Sequence, residues 1–368
     1  MFDYKYLKNE ERVIYTLRSL YGKYGYLPFN MSKFEEYELY VKNKDFLVSD
    51  SVITFNDTNG KLLALKPDVT LSIIKNGLDA KGVKQKVYYS ENVYRISGST
   101  RQFKEIMQTG LECIGDIDLY DVYEVVSLAC ASLKSISDSY VLEISHLGVL
   151  SSLIDSISDD DSFKASVMEC IKQKNAHEIK KLCEEAGVDT EKASLLCSFV
   201  GIYGGADQVL EKLYSMQVSD EFKSAVDELS EIMALLGKTE YSDKLRLDFS
   251  IVNDMNYYNG IVFNGFIEGV CETVLFGGRY DKLLAKMGRG GKGIGFAVYV
   301  DLLESLNKEV RGYDVDVLVA YDGAVTATEL AKTVDAYVSK GLSVTTQKAI
   351  PEKLRYKELV DLRKGDAK

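Results

Sequence analysis

The alternation over residues 86–115 constrains the fold most. KVYYSENVYRI and FKEIMQTGLECIG alternate apolar and polar residues and are joined by the polar link SGSTRQ, which predicts two long antiparallel strands. A strand presents alternate residues to opposite faces. Ile106, Gln108, Gly110 and Glu112 therefore share one face of the second strand, and Met107, Thr109, Leu111 and Cys113 share the other. On the first strand Glu91, Val93 and Arg95 share a face. One sheet surface can thus offer an amide, a carboxylate and a guanidinium. Gly110 leaves room above it for a ligand or another backbone. A solvent-facing strand carries the same residue types, so the pattern alone leaves both readings open.

The segments before this hairpin read as supports for it. Val13, Ile14, Leu17, Leu20, Tyr21 and Tyr24 form the stripe of an amphipathic helix over residues 10–24. GYLPFN and SKFEEYELY predict a strand and then a helical turn. SVITFNDTNGKLLAL predicts a hairpin turning at Asn59-Gly60, where left-handed backbone is favoured. That hairpin delivers Lys66-Pro67-Asp68-Val69-Thr70, with Thr70 placed to cap the helix LSIIKNGL.

After the long strands come a helix over 118–138 and the strand YVLEISH. Residues 148–238 change texture to successive short amphipathic helices, an all-helical insertion. Leu245, Leu247, Phe249 and Ile251 then alternate with Arg246, Asp248 and Ser250, which returns the chain to a strand. Asn253, Asn256, Asn259, Tyr257, Tyr258 and Gly260 follow, uncharged polar groups that suit either a ligand pocket or a plain turn. DKLLAKMG reads as a helix, KGIGFAVYV as a strand and DLLESLNKEV as a helix. The glycines at 288, 290, 291, 293 and 295 lie in helix–loop–strand order, the reverse of a phosphate-cradling loop. Beyond a boundary near 308–313 the tail reads as a small α/β unit.

Composition excludes several classes. A net charge of −11 without basic runs disfavours a dedicated nucleic-acid binder. No apolar run is long enough to span a bilayer, and the polar N-terminus lacks a signal-peptide core. The 6 cysteines are scattered without CxxC spacing and read as reduced, mostly buried cytosolic thiols. With only 2 histidines, His146 and His177, histidine-based metal sites and Ser-His triads are disfavoured, and His177 reads as a surface side chain.

Four segments resemble the catalytic core of histidyl-tRNA synthetase, a class II synthetase. GYLPFNMSKFEEYELY is similar to its first, dimer-forming motif. LLALKPDVT is similar to its LRPEGT segment. ENVYRI with RQFKEIMQTGLECIG is similar to its second motif. NYYNGIVF, FGGRYDKLLAKMG and GIGFAVYVDLLESL are similar to its histidine-specific segment and third motif. The resemblance implies an α+β fold with a class II synthetase-like antiparallel sheet and flanking helices, over residues 1–147 and 239–309. It is interrupted by the helical insertion 148–238 and followed by a reduced C-terminal α/β domain, 313–368. It places Asp68, Thr70, Gln108, Glu112, Tyr257 and Tyr258 on a histidine pocket, makes Arg95 the second-motif arginine and a candidate partner for the ligand's carboxylate, and adds Tyr280 to the wall.

The departures point away from catalysis. The family's RGLDYY arginine is Asn253 here, its third-motif arginine is Leu302, and the glutamate after the second-motif arginine is Ser97. Adenylation needs fixed positive charge on the developing phosphorane oxygens, and two of its cations are missing. The tail is about half the ~100 residues of a full anticodon-binding domain, with acidic and basic residues in balance. Together these features resemble the regulatory subunit family of ATP phosphoribosyltransferase. The resemblance implies a non-catalytic, cytoplasmic chain with no cofactor. Its partners would be a short-form catalytic subunit and a second copy of itself, with histidine as feedback effector in the first step of histidine biosynthesis and no tRNA or membrane. The alternative is a divergent histidyl-tRNA synthetase.

Overall fold

The computed structural model describes residues 7–44, 52–77, 82–96, 102–252, 257–306 and 312–363. It divides into two compact units, Met1–Leu306 and Asn307–Lys368. The first begins with α1 (Asn9–Lys23), which buries Val13, Leu17 and Tyr21 from the predicted stripe. β1 (Leu27–Pro28) follows, then β2 (Phe34–Glu36) and α2 (Tyr37–Lys42). β3 (Thr54–Asn56) and β4 (Leu62–Leu65) form the expected hairpin, with Gly60 at φ 84° in its turn. β2 joins them in a small three-stranded sheet.

α3 (Thr70–Asn76) differs from expectation at its start. Thr70 is its first helical residue rather than its cap. The capping carboxylate is Asp68, whose Oδ1 accepts the Leu71 N–H at 2.9 Å. Thr70 is thereby released to donate elsewhere, as described below.

β5 (Lys84–Ile96) and β6 (Phe103–Gly115) pair antiparallel along their whole length, Lys84 opposite Gly115 and Ile96 opposite Phe103. α4 (Leu119–Ile136) and β7 (Tyr140–His146) follow. The next six helices are α5 (Leu147–Asp155), α6 (Asp161–Lys172), α7 (Ala176–Glu185), α8 (Thr190–Val200), α9 (Ala206–Ser215) and α10 (Asp220–Leu236). This stretch is not purely helical. Tyr203–Gly204 forms a two-residue strand, β8, antiparallel to β9 (Leu245–Asp248), so the helical segment is stitched to the edge of the sheet. The helices also share one apolar core with the sheet and α4, because their stripes are too small to bury each other alone.

β10 (Ile261–Ile267), β11 (Leu275–Arg279), α11 (Asp281–Lys286) and β12 (Lys292–Tyr299) complete the main sheet. Among the described residues its order is β1-β5-β6-β12-β11-β10-β7-β9-β8. All neighbours run antiparallel except β1 with β5 and β7 with β9. After β12 the expected α-helix is a 3₁₀ segment, Val300–Leu306. Its apolar residues Val300, Leu303 and Leu306 recur every third position, which matches three residues per turn better than 3.6.

The two faces of the sheet carry separate cores. Leu111 and Cys113 look into the large core under α1, α4 and the helical segment. Val87, Tyr89 and Val93 look the other way, under α3 and α11, with Tyr257 and Tyr280. The alternation read from the sequence thus assigns each residue of β5 and β6 to its layer. The second unit holds β13 (Val315–Ala320), α12 (Ala327–Val338), β14 (Val344–Gln347) and β15 (Tyr356–Asp361), with parallel strands in the order β14-β13-β15. Among the described residues no helix is long and apolar enough to cross a membrane.

Candidate functional site

The face of β5 and β6 that carries Gln108 and Glu112 floors a cavity of about 410 Å³. Strand register explains who meets there. Glu91 lies opposite Gln108, Tyr89 opposite Gly110 and Val87 opposite Glu112. From the other side β12 sets Tyr299 against Gln108 and Gly295 against Glu112.

The loop before α3 is tied down over this floor. The Lys66 N–H donates to the Lys33 carbonyl, and the Lys66 carbonyl accepts from the Tyr94 N–H at 3.0 Å. The Lys66 side chain is fully buried and its Nζ meets Glu91 at 2.7 Å. Arg95 Nε donates to the Pro67 carbonyl at 2.7 Å and Nη1 donates to the Tyr299 hydroxyl at 3.0 Å. Its Nη2 stands 3.9 Å from Asp68 Oδ2. Asp68 and Thr70 are thereby held above the strands.

Glu112 is the centre of the polar network. Thr70 donates to its Oε1 at 2.8 Å, and the Tyr280 hydroxyl donates to its Oε2 at 2.5 Å. Tyr257 packs on Tyr258 at 4.6 Å between ring centroids and edge-on to Tyr280 at 6.0 Å. Asp68, Thr70, Arg95, Gln108, Glu112, Tyr257, Tyr258 and Tyr280 all line this one cavity. The structure brings together the eight residues that the resemblance places on the pocket, while Asn259 and Gly260 lie off its lining, Asn259 donating to Asp281, and Asn256 lies outside the described residues. Asn253 and Ser97, where the resemblance expects an arginine and a glutamate, lie outside the described residues; Leu302 is in the 3₁₀ segment.

Glycines make the walls possible. Four pocket side chains lie over glycines, where a β-carbon would collide with them: Tyr89 over Gly110, Tyr258 over Gly278, Tyr280 over Gly293 and Glu112 over Gly295. The space above Gly110 is therefore filled by the Tyr89 ring. Such contacts are the tertiary counterpart of a glycine in mid-strand.

Burial sets the electrostatics. Glu112 is pushed up to about 8, first by desolvation and further by the negative charge of Asp68, against the pull of the Tyr280 and Thr70 hydrogen bonds. Asp68 is also raised by burial, offset by Arg95 and by backbone N–H donors. Tyr280, Tyr257 and Tyr89 are driven well above the usual phenol range by desolvation and stay neutral donors. Two buried acids thus face one buried cation, an arrangement that favours entry of a further positive group.

Because the Glu112 pKa is higher in the folded chain than unfolded, its contribution to stability is fully present below about 4.5 and is lost as pH rises through about 8. Glu112→Gln cannot ionise. The stability of the empty protein relative to this variant should fall by a few kcal/mol between pH 5 and 9. Denaturant midpoints of both across that range check it, and parallel curves would show that Glu112 titrates normally.

Sequence reasoning missed Tyr89, Val252, Phe276, Tyr299 and Lys172, which also line the cavity. Tyr89 was within reach, since it shares a strand face with Arg95. Lys172 carries no local signal, because it enters from the helical segment.

Known proteins share the fold that holds this site. Residues 4–303 match the family model described as histidyl-tRNA synthetase. A protein from Oceanobacillus iheyensis named ATP phosphoribosyltransferase regulatory subunit is 26% identical over 308 residues, 83% of this chain and 75% of the relative. A crystal structure from Bacillus halodurans, titled ATP phosphoribosyltransferase regulatory subunit/histidyl-tRNA synthetase, superposes with a TM-score of 0.82 at 22% identity, covering 99% of this chain and 97% of that one. A chain of the ATP phosphoribosyl transferase complex from Thermotoga maritima has the same fold, with a TM-score of 0.63 at 20% identity over 81% of this chain and 97% of that one. The α+β synthetase-like fold read from the motifs is thus the fold observed, and with the family model spanning most of its length the chain belongs to the histidyl-tRNA synthetase family, resembling there the members named ATP phosphoribosyltransferase regulatory subunit.

Proposed function

We propose that this chain is a non-catalytic regulatory subunit of ATP phosphoribosyltransferase, with histidine as the ligand of its tyrosine-walled pocket. The observation that supports the reading is one cavity lined by all eight pocket candidates, in a chain whose sequence replaces two of the cations that adenylation needs. Asp68, Glu112, Gln108 and the tyrosines are grouped on one surface. The family's third-motif arginine is replaced by Leu302, and Asn253 replaces the second cation in the sequence. Neutral side chains cannot stabilise charge developing on an α-phosphate.

In this reading the α-ammonium of histidine meets Asp68 and Glu112, with Gln108 beside them, and Tyr257, Tyr258 and Tyr280 wall the imidazole. Charge-assisted hydrogen bonds of this kind contribute roughly 1.5–3 kcal/mol each, enough for micromolar recognition of a small zwitterion. The chain acts in the first step of histidine biosynthesis, in the cytoplasm. It pairs with itself through the synthetase-like core, as its similarity to the dimer-forming motif implies, and with a short-form catalytic subunit; the names of its relatives and the Thermotoga maritima complex support a catalytic partner. Feedback inhibition follows if histidine binds one quaternary state more tightly than another, because equal affinity shifts nothing.

The isolated chain should bind histidine in a calorimeter and catalyse no histidine-dependent ATP–pyrophosphate exchange. Robust exchange would make it a divergent histidyl-tRNA synthetase instead. Co-expressed with a short-form catalytic subunit it should elute as one complex; separate elution at micromolar concentration would count against that partner.

A further inference from the structure

Among the described residues two cations line the cavity, and the sequence offers Arg95 as the partner of the ligand's carboxylate. Arg95 commits Nε to the Pro67 carbonyl and one Nη1 hydrogen to Tyr299, with Nη2 3.9 Å from Asp68, so its fixed contacts run to the loop and to Tyr299. These contacts make it a brace for the loop that carries Asp68. The other cation on the cavity lining is Lys172, at the end of α6.

Its position is built rather than incidental. Ile171, just before it, is buried in the large core. Two residues on, Lys174 adopts left-handed backbone at φ 54°, uncommon for a residue with a side chain. The helix closes there through Lys174 N–H to the Ile171 carbonyl at 2.9 Å and Asn175 N–H to the Cys170 carbonyl at 2.8 Å. Lys174 Nζ then pairs at 2.8 Å with the buried Asp248, and lies 5.2 Å over the Tyr203 ring. Asp248 is itself fixed by the Ser250 N–H at 2.8 Å and its hydroxyl at 2.7 Å. A buried side chain on one side and a strained, ion-paired residue on the other thus set Lys172 at the cavity wall. Its contact with Glu169 is a 3.7 Å exposed pair of the kind that contributes little and yields to a better anion.

We infer that Lys172 is the specificity-determining residue for the ligand's carboxylate, contributed to the pocket by the helical segment. This rests on the histidine reading above. With the ammonium held by Asp68 and Glu112, the carboxylate is directed to the rim, where Lys172 pairs with it. Discrimination between an amino acid and its amino-alcohol analogue then resides outside the synthetase-like core.

Calorimetry with L-histidine and with L-histidinol, which keeps the imidazole and amine but carries a hydroxymethyl group in place of the carboxylate, tests this. Lys172→Ala should weaken histidine binding about five- to tenfold and leave histidinol unchanged; Lys172→Arg should restore histidine binding to within about twofold. Unchanged histidine affinity in Lys172→Ala, with the wild type binding normally, overturns the inference and leaves the pocket assignment standing. Equal losses for both ligands overturn it too, since a merely structural role is blind to the carboxylate. Failure of the wild-type chain to bind either compound overturns the histidine reading itself.

Discussion

Glu112→Ala is expected to weaken histidine binding by roughly 100-fold. A charge-assisted hydrogen bond in a buried site contributes up to about 3 kcal/mol, and each 1.4 kcal/mol is a factor of ten. Glu112 is 3% exposed and accepts from both Thr70 and Tyr280. Alanine removes the ligand's acceptor and also strands those two hydroxyls. Glu112→Gln separates these effects by keeping shape and an acceptor oxygen while abolishing the charge. Because Glu112 titrates near 8 in the empty pocket, it must lose its proton to meet an ammonium group. Wild-type affinity should therefore climb as pH rises from about 6 towards 8, with proton release in the calorimeter, while Glu112→Gln should be weak and nearly flat. Unchanged affinity in Glu112→Ala would remove this residue from the ligand's contacts.

Gly295→Ala should cost roughly 3–5 kcal/mol of stability and close the pocket together. Its β-carbon would overlap Glu112 Oε2 and press on the Leu111 carbonyl. Overpacking of this kind typically costs about 1–3 kcal/mol, and displacing Glu112 adds the loss of two buried hydrogen bonds. Gly290→Ala is the control: nothing lies within 4 Å of a β-carbon there, so the change should stay within about 0.5 kcal/mol. Denaturation midpoints for the three proteins, with histidine titrations on those that fold, give the comparison. Equal stability of Gly295→Ala and wild type would mean that the strands can part to admit a methyl group.

The glycines show where reading the sequence stopped short. KGIGFAVYV reads as a strand, but the sequence assigns its glycines no partner. In the folded chain Gly293 and Gly295 are strand residues that make way for Tyr280 and Glu112. Nothing local to the motif names those partners. Thr70 is a similar case. Its position at a helix start suggested a cap, but Asp68 caps the helix and Thr70 serves Glu112. Either hydroxyl or carboxylate can satisfy a first-turn N–H, and only the nearby presence of Glu112 chose between them.

What the chain's own pattern determined is the set of faces. Strand periodicity is a local property, so Gln108 and Glu112 had to share a surface, and the full-length pairing of the two long strands put Arg95 on it as well. The motifs named the remaining candidates and the fold. The tertiary structure decided who touches whom. Tyr280 reaches Glu112 across 168 residues of sequence, and Arg95 reaches Tyr299 across 204. Lys172 lines the cavity from the end of α6, beside the buried Ile171 and two residues before Lys174, which pairs with Asp248. Contacts at such separations depend on strand order and packing, which no local periodicity encodes.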